Sequence, residues 1–424
     1  MPSKNGLPLF KYTMQNTLIR RTFTALSIFT LAMLMISLPT SKAGMNIFSA
    51  LLALGGFTYA LFNIKNLSLL EKYSFIFCLS LYAVGGLISF TMHASELDFA
   101  YYMQKNSFWL LIPVFVVLLK TEHMRRIAIV SFVIAASIAG IESLYDAYLA
   151  NFDVYARSTG FLGHSRHANS MLLCIALSLL MLNKQNLKPV FKGLFWLSIS
   201  IAMLSLLVSG SRGAWLGGGA MLCYTTIRFH KTLIKPGALF VILLGVAASF
   251  TFPEKVDKYL DRAKSIVQME LSGMARLTMW RGGVEFLGYK LDQAPSEFLF
   301  GTGMYSTKDE YLRYVDALPV EEREHLLTDG SVFGGSDFHH SILDVFVKSG
   351  VLYSSVFFGM WAWIIFKAIR MPNTKNVTCR YMVVYFVGLF VIYQFYTIAQ
   401  DYATYATAFA VSLLLLEMKR EPSV

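Results

Sequence analysis

Two adjacent histidines, His339 and His340, stand in D-F-H-H-S-I-L-D-V-F-V-K-S-G-V-L-Y, residues 337–353. A neutral imidazole can take a proton from a hydroxyl such as that of a sugar. Nearby arginines and partial desolvation favour the neutral form of such a ring. The plainer alternative is an interfacial histidine pair with no reaction to perform. Asp344 and Lys348 lie four residues apart on the helix that follows, the spacing of a structural ion pair.

Arginines supply the complementary chemistry. In S-G-S-R-G-A-W-L-G-G-G, residues 209–219, Arg212 stands where a helix begins behind Ser and Gly. A helix start attracts anions, and a guanidinium fork suits phosphate oxygens. The competing account is an Arg anchor at a membrane interface beside small packing residues. In S-G-M-A-R-L-T-M-W-R-G-G, residues 272–283, the spacing puts Arg276 and Trp280 on one helix face. Arg276 is a second candidate anion ligand, and Arg281 is taken with it as a substrate contact. The alternative there is a solvated charge beside an interfacial Trp. E-F-L-F-G-T-G-M-Y, residues 297–305, has the glycines of a tight turn but no Walker-type Lys. A-R-S-T-G-F-L-G-H-S-R-H-A-N-S, residues 156–170, concentrates Arg157, His164, Arg166 and His167, a set suited to a polyanionic lipid. Asp401, in I-A-Q-D-Y-A-T-Y, is an ionisable group at a membrane edge and so a functional candidate. No acids accompany the histidines of the 156–170 segment, so no metal site is expected. Cys78, Cys174, Cys223 and Cys379 show neither zinc nor disulfide spacing.

The elements that position these residues follow from composition. Of 424 residues, 55% are hydrophobic and 15% charged, and the mean hydropathy is +0.53. Soluble chains carry about 25% charged residues. Those values argue against a soluble enzyme, a disordered protein or a DNA-binding protein, and for an all-α polytopic membrane protein. Apolar runs predict twelve spans: 22–40, 44–63, 73–93, 106–119, 127–149, 168–183, 190–208, 212–227, 236–253, 340–366, 381–399 and 402–417. The fourth and sixth are short enough to be broken or tilted. Residues 1–253 thus hold nine spans, 254–338 a large loop, and 339–424 three more spans. Within that loop, apolar residues at helical spacing predict a helix over 254–268, and Pro319 with the acids after it a second helix start.

The net charge of +11 reads as cytoplasmic loops rich in Lys and Arg, with no nucleic-acid partner. With both termini inside, the short outer loops hold only Lys42, Lys105, Arg157, Arg166 and Arg212. The 254–338 loop then lies outside, since long loops translocate despite their charge.

In order and spacing these motifs resemble the O-antigen ligase family of the bacterial envelope, a group that includes O-antigen polymerases and protein O-oligosaccharyltransferases. The resemblance spans nearly the whole chain. The ligase motif is a His, a small polar residue, nine residues, Gly, two residues, then Gly, Thr or Tyr. Aligned from Gly350, His339 takes the histidine position and Tyr353 closes the motif. His340 stands where the family has Asn, Ser or Gln. The other register, His340 with Ser341, brings Gly350 one residue early, so His339 is taken as the base and His340 held in reserve. S-R-G-A-W matches the membrane-edge Arg at Arg212, and R-x-x-x-W with the later L-F-G-x-G matches the loop Arg at Arg276. Asp401 corresponds to an acidic residue after the loop.

The resemblance implies a GT-C-type, inverting, metal-independent glycosyltransferase with no cofactor, in the bacterial inner membrane with its site facing the periplasm. The donor would be O-antigen on undecaprenyl diphosphate and the acceptor lipid A–core. Arg212 and Arg276 would hold the diphosphate, each preorganised donor contributing roughly 2.7–4 kcal/mol. His339 would take the acceptor's proton, worth about 10²–10⁴-fold. Arg157, Arg281, His340 and Asp401 would contact substrate. A polymerase or a protein-glycosylating enzyme is the nearest alternative; the single large loop and the short tail after the last span favour the ligase. A lipid or polysaccharide transporter would put polar groups deep in several spans, whereas here they gather at one face.

Overall fold

The computed structural model describes residues 17–93, 95–183, 187–229, 253–264, 271–328, 331–332, 336–371 and 376–420. They form an all-α polytopic membrane protein. In chain order the helices are α1 (Thr17–Thr40), α2 (Lys42–Phe62), α3 (Leu69–Met92), α4 (Glu96–Lys105), α5 (Phe108–Leu118), α6 (Glu122–Leu149), α7 (His164–Leu182), α8 (Pro189–Val208) and α9 (Arg212–Phe229). After them come α10 (Pro253–Lys264), α11 (Leu271–Gln293), α12 (Pro295–Phe300), α13 (Thr307–Ala317), α14 (Val320–Glu324), α15 (Ser341–Arg370), α16 (Val377–Tyr393) and α17 (Ala403–Arg420). A small hairpin pairs β1 (Leu327–Thr328) with β2 (Ser331–Val332), Leu327 opposite Val332.

Seven described helices are long and apolar enough to cross a membrane: Thr22–Thr40 of α1, then α2, α3, α6, α7, α8 and α15. Their outer faces expose large apolar side chains such as Leu54, Ile76, Phe90, Ile138 and Trp196. Such faces are stable only against lipid or a partner. The inner faces close around one core in which α6, α7, α16 and α17 contribute Phe132, Leu172, Tyr385 and Phe409. The expected ninth span, 236–253, lies almost wholly outside the described residues.

The fourth expected span departs furthest from its reading. It condenses into α5, 11 residues with Pro113 inside. At 1.5 Å per residue that is about 16 Å, too short for a hydrocarbon core of about 30 Å. Nearly every α5 side chain is buried, so its apolarity serves packing against α3 and α17. Its ring of polar partners is protein: Trp109 Nε1 donates to Tyr353 Oη (2.8 Å), whose hydroxyl donates to Asn106 Oδ1 (2.5 Å).

Helix starts follow local chemistry. Ser41 caps α2 by accepting from Gly44 N–H, Thr121 caps α6 through Met124 N–H, and Glu71 of α3 reaches back to Ser68 N–H (2.6 Å). The large loop has its own small core of Phe286, Tyr311, Val315, Leu326 and Phe338, joined by Val347 of α15. Of the expected loop helices, the first forms as α10, Pro253–Lys264, with residues 265–268 of the expected 254–268 outside the described residues, and the second as the short α14 directly after Pro319.

Candidate functional site at the start of α15

α15 is broken rather than continuous. Gly350 lies inside it at φ +76°, ψ 167°, a conformation open only to glycine. The break frees the carbonyls of Val347 and Lys348, which accept from Thr302 N–H (3.0 Å) and Gly303 N–H (3.1 Å). The loop turn F-G-T-G thereby locks onto the first segment of α15 and fixes what precedes it. Asp344 and Lys348 form the expected pair (2.9 Å). They also hold residues 336–338, through Phe338 N–H to Asp344 Oδ1 (3.3 Å) and Lys348 Nζ to Ser336 O (2.7 Å).

His339 and His340 leave this anchored segment with different tasks. His339 is 45% exposed and carries φ +48°, and its Nδ1 lies 2.8 Å from Asp337 Oδ1. A carboxylate only accepts, so Nδ1 holds the proton and a neutral ring keeps its lone pair on Nε2. The same carboxylate accepts the His339 N–H (3.0 Å). Burial alone would raise the Asp337 carboxyl; the His339 contacts and Lys348 hold it below its ordinary value. His340 instead caps α15, its Nδ1 accepting from Leu343 N–H (3.2 Å), and its ring meets Trp280 edge to face at 5.4 Å. Burial pushes the His340 ring below its ordinary pKa, against a hydrogen bond with Gln394.

Beside the histidines runs the α16–α17 connection, and on it Tyr396. Four guanidinium groups, Arg276, Arg157, Arg262 and Arg212, act electrostatically on this one hydroxyl. Burial nevertheless keeps Tyr396 above its ordinary pKa, so it remains a neutral donor. Its hydroxyl also contacts the hydroxyl of Ser211, and its carbonyl accepts from Ser341 Oγ.

Each arginine is brought in by its own element. Arg212 is the first residue of α9 and is buried. The turn before it needs Gly210, at φ +57°, because a Cβ there would collide with Val154 O. Arg276 comes from α11, its guanidinium 6.0 Å from the Phe395 ring centroid, while Trp280 one turn on reaches His340. Burial, then the charges of Arg157 and Arg262, pull Arg276 below its ordinary pKa, partly offset by Tyr396. Arg157 sits in the α6–α7 connection at φ +52°. Arg262, on α10, donates from Nε to Gly210 O (3.2 Å) and lies over Tyr155 (5.5 Å). Trp215 fixes α10 by stacking on Tyr259 while its Nε1 donates to Leu206 O (3.0 Å) and Leu207 O (2.9 Å).

Of the residues singled out from sequence, Arg157, Arg212 and Arg276 act on Tyr396, His340 reaches Trp280 of the Arg276 helix, and His339, its chain neighbour, turns to Asp337. Arg281 is exposed and pairs with Glu285 at 2.7 Å, the i, i+4 partner on its own helix. Asp401 lies two residues before α17 and takes other partners, Arg166 Nε (2.7 Å) and Lys105 Nζ (3.3 Å). His167 is buried against Ser205 Oγ (2.6 Å). Asp337, Arg262 and Tyr396 were not singled out. Only Asp337 carries a sequence signal, an acid two residues before a candidate base.

A neutral base oriented by a carboxylate can deprotonate a hydroxyl, and a group of arginines with a phenol can stabilise a polyanion. No protein-family model and no curated protein matches the chain.

Proposed function

We propose that this protein is an O-antigen ligase: a polytopic, GT-C-type, inverting and metal-independent glycosyltransferase whose site faces the periplasm. It would move O-antigen from undecaprenyl diphosphate onto lipid A–core. The observation that carries this is the cationic group of Arg212, Arg262 and Arg276 around Gly210, Ser211 and the Phe395–Tyr396 stretch, with Arg157 adding to the field at Tyr396, together with the Asp337–His339 pair.

In the proposed step the acceptor hydroxyl attacks the anomeric carbon of the donor sugar. Its proton passes to His339 Nε2, and the bond from the anomeric carbon to the diphosphate oxygen breaks with inversion. The electron pair leaves with the diphosphate, whose growing charge the arginines and the Tyr396 hydroxyl meet. Because the donor is already activated, no nucleotide is consumed.

The test is transfer between purified components: wild type or His339→Ala, undecaprenyl-diphosphate-linked O-antigen and lipid A–core, with EDTA and no nucleotide. A ladder on lipid A–core that falls about 10²–10⁴-fold in His339→Ala is the expected result. Elongation of the donor glycan without transfer would identify a polymerase instead and refute the ligase assignment.

A further inference from the structure

The charge pattern leaves five basic residues in the short loops read as outer: Lys42, Lys105, Arg157, Arg166 and Arg212. Arg157 and Arg212 belong to the group around Tyr396. The other three also converge, and on a different residue of the same connection. Lys42 Nζ, Lys105 Nζ and Arg166 Cζ lie 5.2, 5.4 and 5.4 Å from the centroid of the buried Tyr402 ring. They come from three helices: the first residue of α2, the last of α4 and the first turn of α7.

The ion pairing here is incomplete. Asp401 accepts from Arg166 Nε (2.7 Å) and Nη2 (3.1 Å) and from Lys105 Nζ (3.3 Å). Among the described residues no carboxylate is paired with Lys42, which is exposed. Three cations against one carboxylate leave a local charge of +2 (3 − 1). Two of the cations also oppose the dipoles of their own helices, since Lys42 and Arg166 stand at helix starts. Each such placement disfavours its helix start. Basic residues in short outer loops run against the usual charge bias as well. Local rules broken together at one point mark functional sites. A bound anion would reverse both penalties, since it would meet the cations and the positive helix ends at once.

The position is informative too. Tyr396 and Asp401 are five residues apart on one connection, so their Cα atoms are at most about 18 Å apart. Gln400 anchors the stretch between them by donating to Ser349 Oγ (2.8 Å) and Asn106 Oδ1 (3.2 Å). Two cationic seats at one end of the bundle suit two anionic lipid substrates lying side by side.

We infer that Lys42, Lys105 and Arg166, ringed around Tyr402 and the latter two held by Asp401, form a second anion site that binds the phosphate of the acceptor glycolipid's headgroup. This rests on the ligase assignment and adds to it a separate seat for the acceptor.

The experiment measures binding to the full-length protein in phosphatidylcholine nanodiscs, for wild type, Lys42→Glu and Lys105→Gln. The probes are bisphosphorylated lipid A, the same lipid dephosphorylated, inorganic phosphate and a prenyl diphosphate. Lys42 is exposed, and unchanged prenyl-diphosphate binding certifies that each variant is folded. The expected result is tight binding of bisphosphorylated lipid A alone among the acceptor-side probes, weakened at least about 10-fold in Lys42→Glu, with the acceptor KM raised and kcat unchanged. Equal lipid A affinity in wild type and both variants would overturn the site. Inorganic phosphate binding as tightly as the lipid would overturn the headgroup assignment. Transfer that proceeds with an unchanged acceptor KM in the variants sinks the site and leaves the ligase standing. Lipid A binding that depends on Lys42 in a protein that performs no transfer does the reverse.

Discussion

His339 and His340 are neighbours in sequence and opposites in function. His339 Nδ1 faces Asp337 and leaves Nε2 for a substrate, whereas His340 spends its Nδ1 on capping α15. Replacing His340 by Asn keeps a capping acceptor, so transfer activity should stay within a few-fold of wild type. His340→Ala should lose about 1 kcal/mol of stability through the missing cap, read as a lower melting temperature, while His339→Ala loses turnover without melting earlier. A collapse of turnover in His340→Asn would reassign the base. The sequence motif could rank the two histidines by spacing alone; the hydrogen bonds that divide their labour are set by the fold. Asp401 gives a pH-dependent prediction. Burial would raise its carboxyl, but Arg166 and Lys105 hold it below the ordinary range. A depressed folded pKa means that this stabilisation is complete above the ordinary aspartate pKa and is lost as pH falls through the depressed value. Wild type should therefore lose melting temperature on acidification more steeply than Asp401→Asn. Parallel curves for the two proteins would show that the carboxylate's pairing adds nothing to stability.

At the scale of elements, the break in α15 is what turns a loop into part of the site. Gly350 meets the backbone of Leu299, Phe300 and Gly301 so closely that no Cβ fits. Gly350→Ala combines that collision with a backbone conformation costing about 1–3 kcal/mol for other residues. It should release the F-G-T-G turn, and with it the segment carrying His339. We expect faster proteolysis within 295–340 and loss of transfer, with the helices of the bundle still intact by circular dichroism. Normal proteolysis and normal activity would mean that the turn is not held through Gly350. Helix periodicity made α10 and α11 legible, and with α11 the pairing of Arg276 with Trp280. It could not pick out Arg262, because α10 carries Glu254, Lys255, Asp257, Lys258, Asp261 and Lys264 around it, and nothing in the pattern favours one charge. Periodicity also could not tell α5 from a span: an apolar run buried in protein and one facing lipid have the same composition.

For the whole molecule, the order of the chain hides the site that it builds. Arg157, Arg212, Arg262 and Arg276 come from the α6–α7 connection and from α9, α10 and α11, and Tyr396 from the α16–α17 connection. Arg212 and Arg276 could be proposed from sequence because each sits in a local pattern, a helix start or a helix face with Trp. Tyr396 could not, since it is one aromatic among many in an apolar stretch, and only tertiary packing puts it among the arginines. The central claim is that this group is the diphosphate seat, and the contrast between Arg276 and Arg281 tests it within one helix. Binding of a prenyl diphosphate to the purified protein should weaken at least about 10-fold, near 1.4 kcal/mol, in Arg276→Gln. It should be unchanged in Arg281→Gln, whose guanidinium is engaged with Glu285. Equal losses in the two variants, or none in Arg276→Gln, would contradict the account.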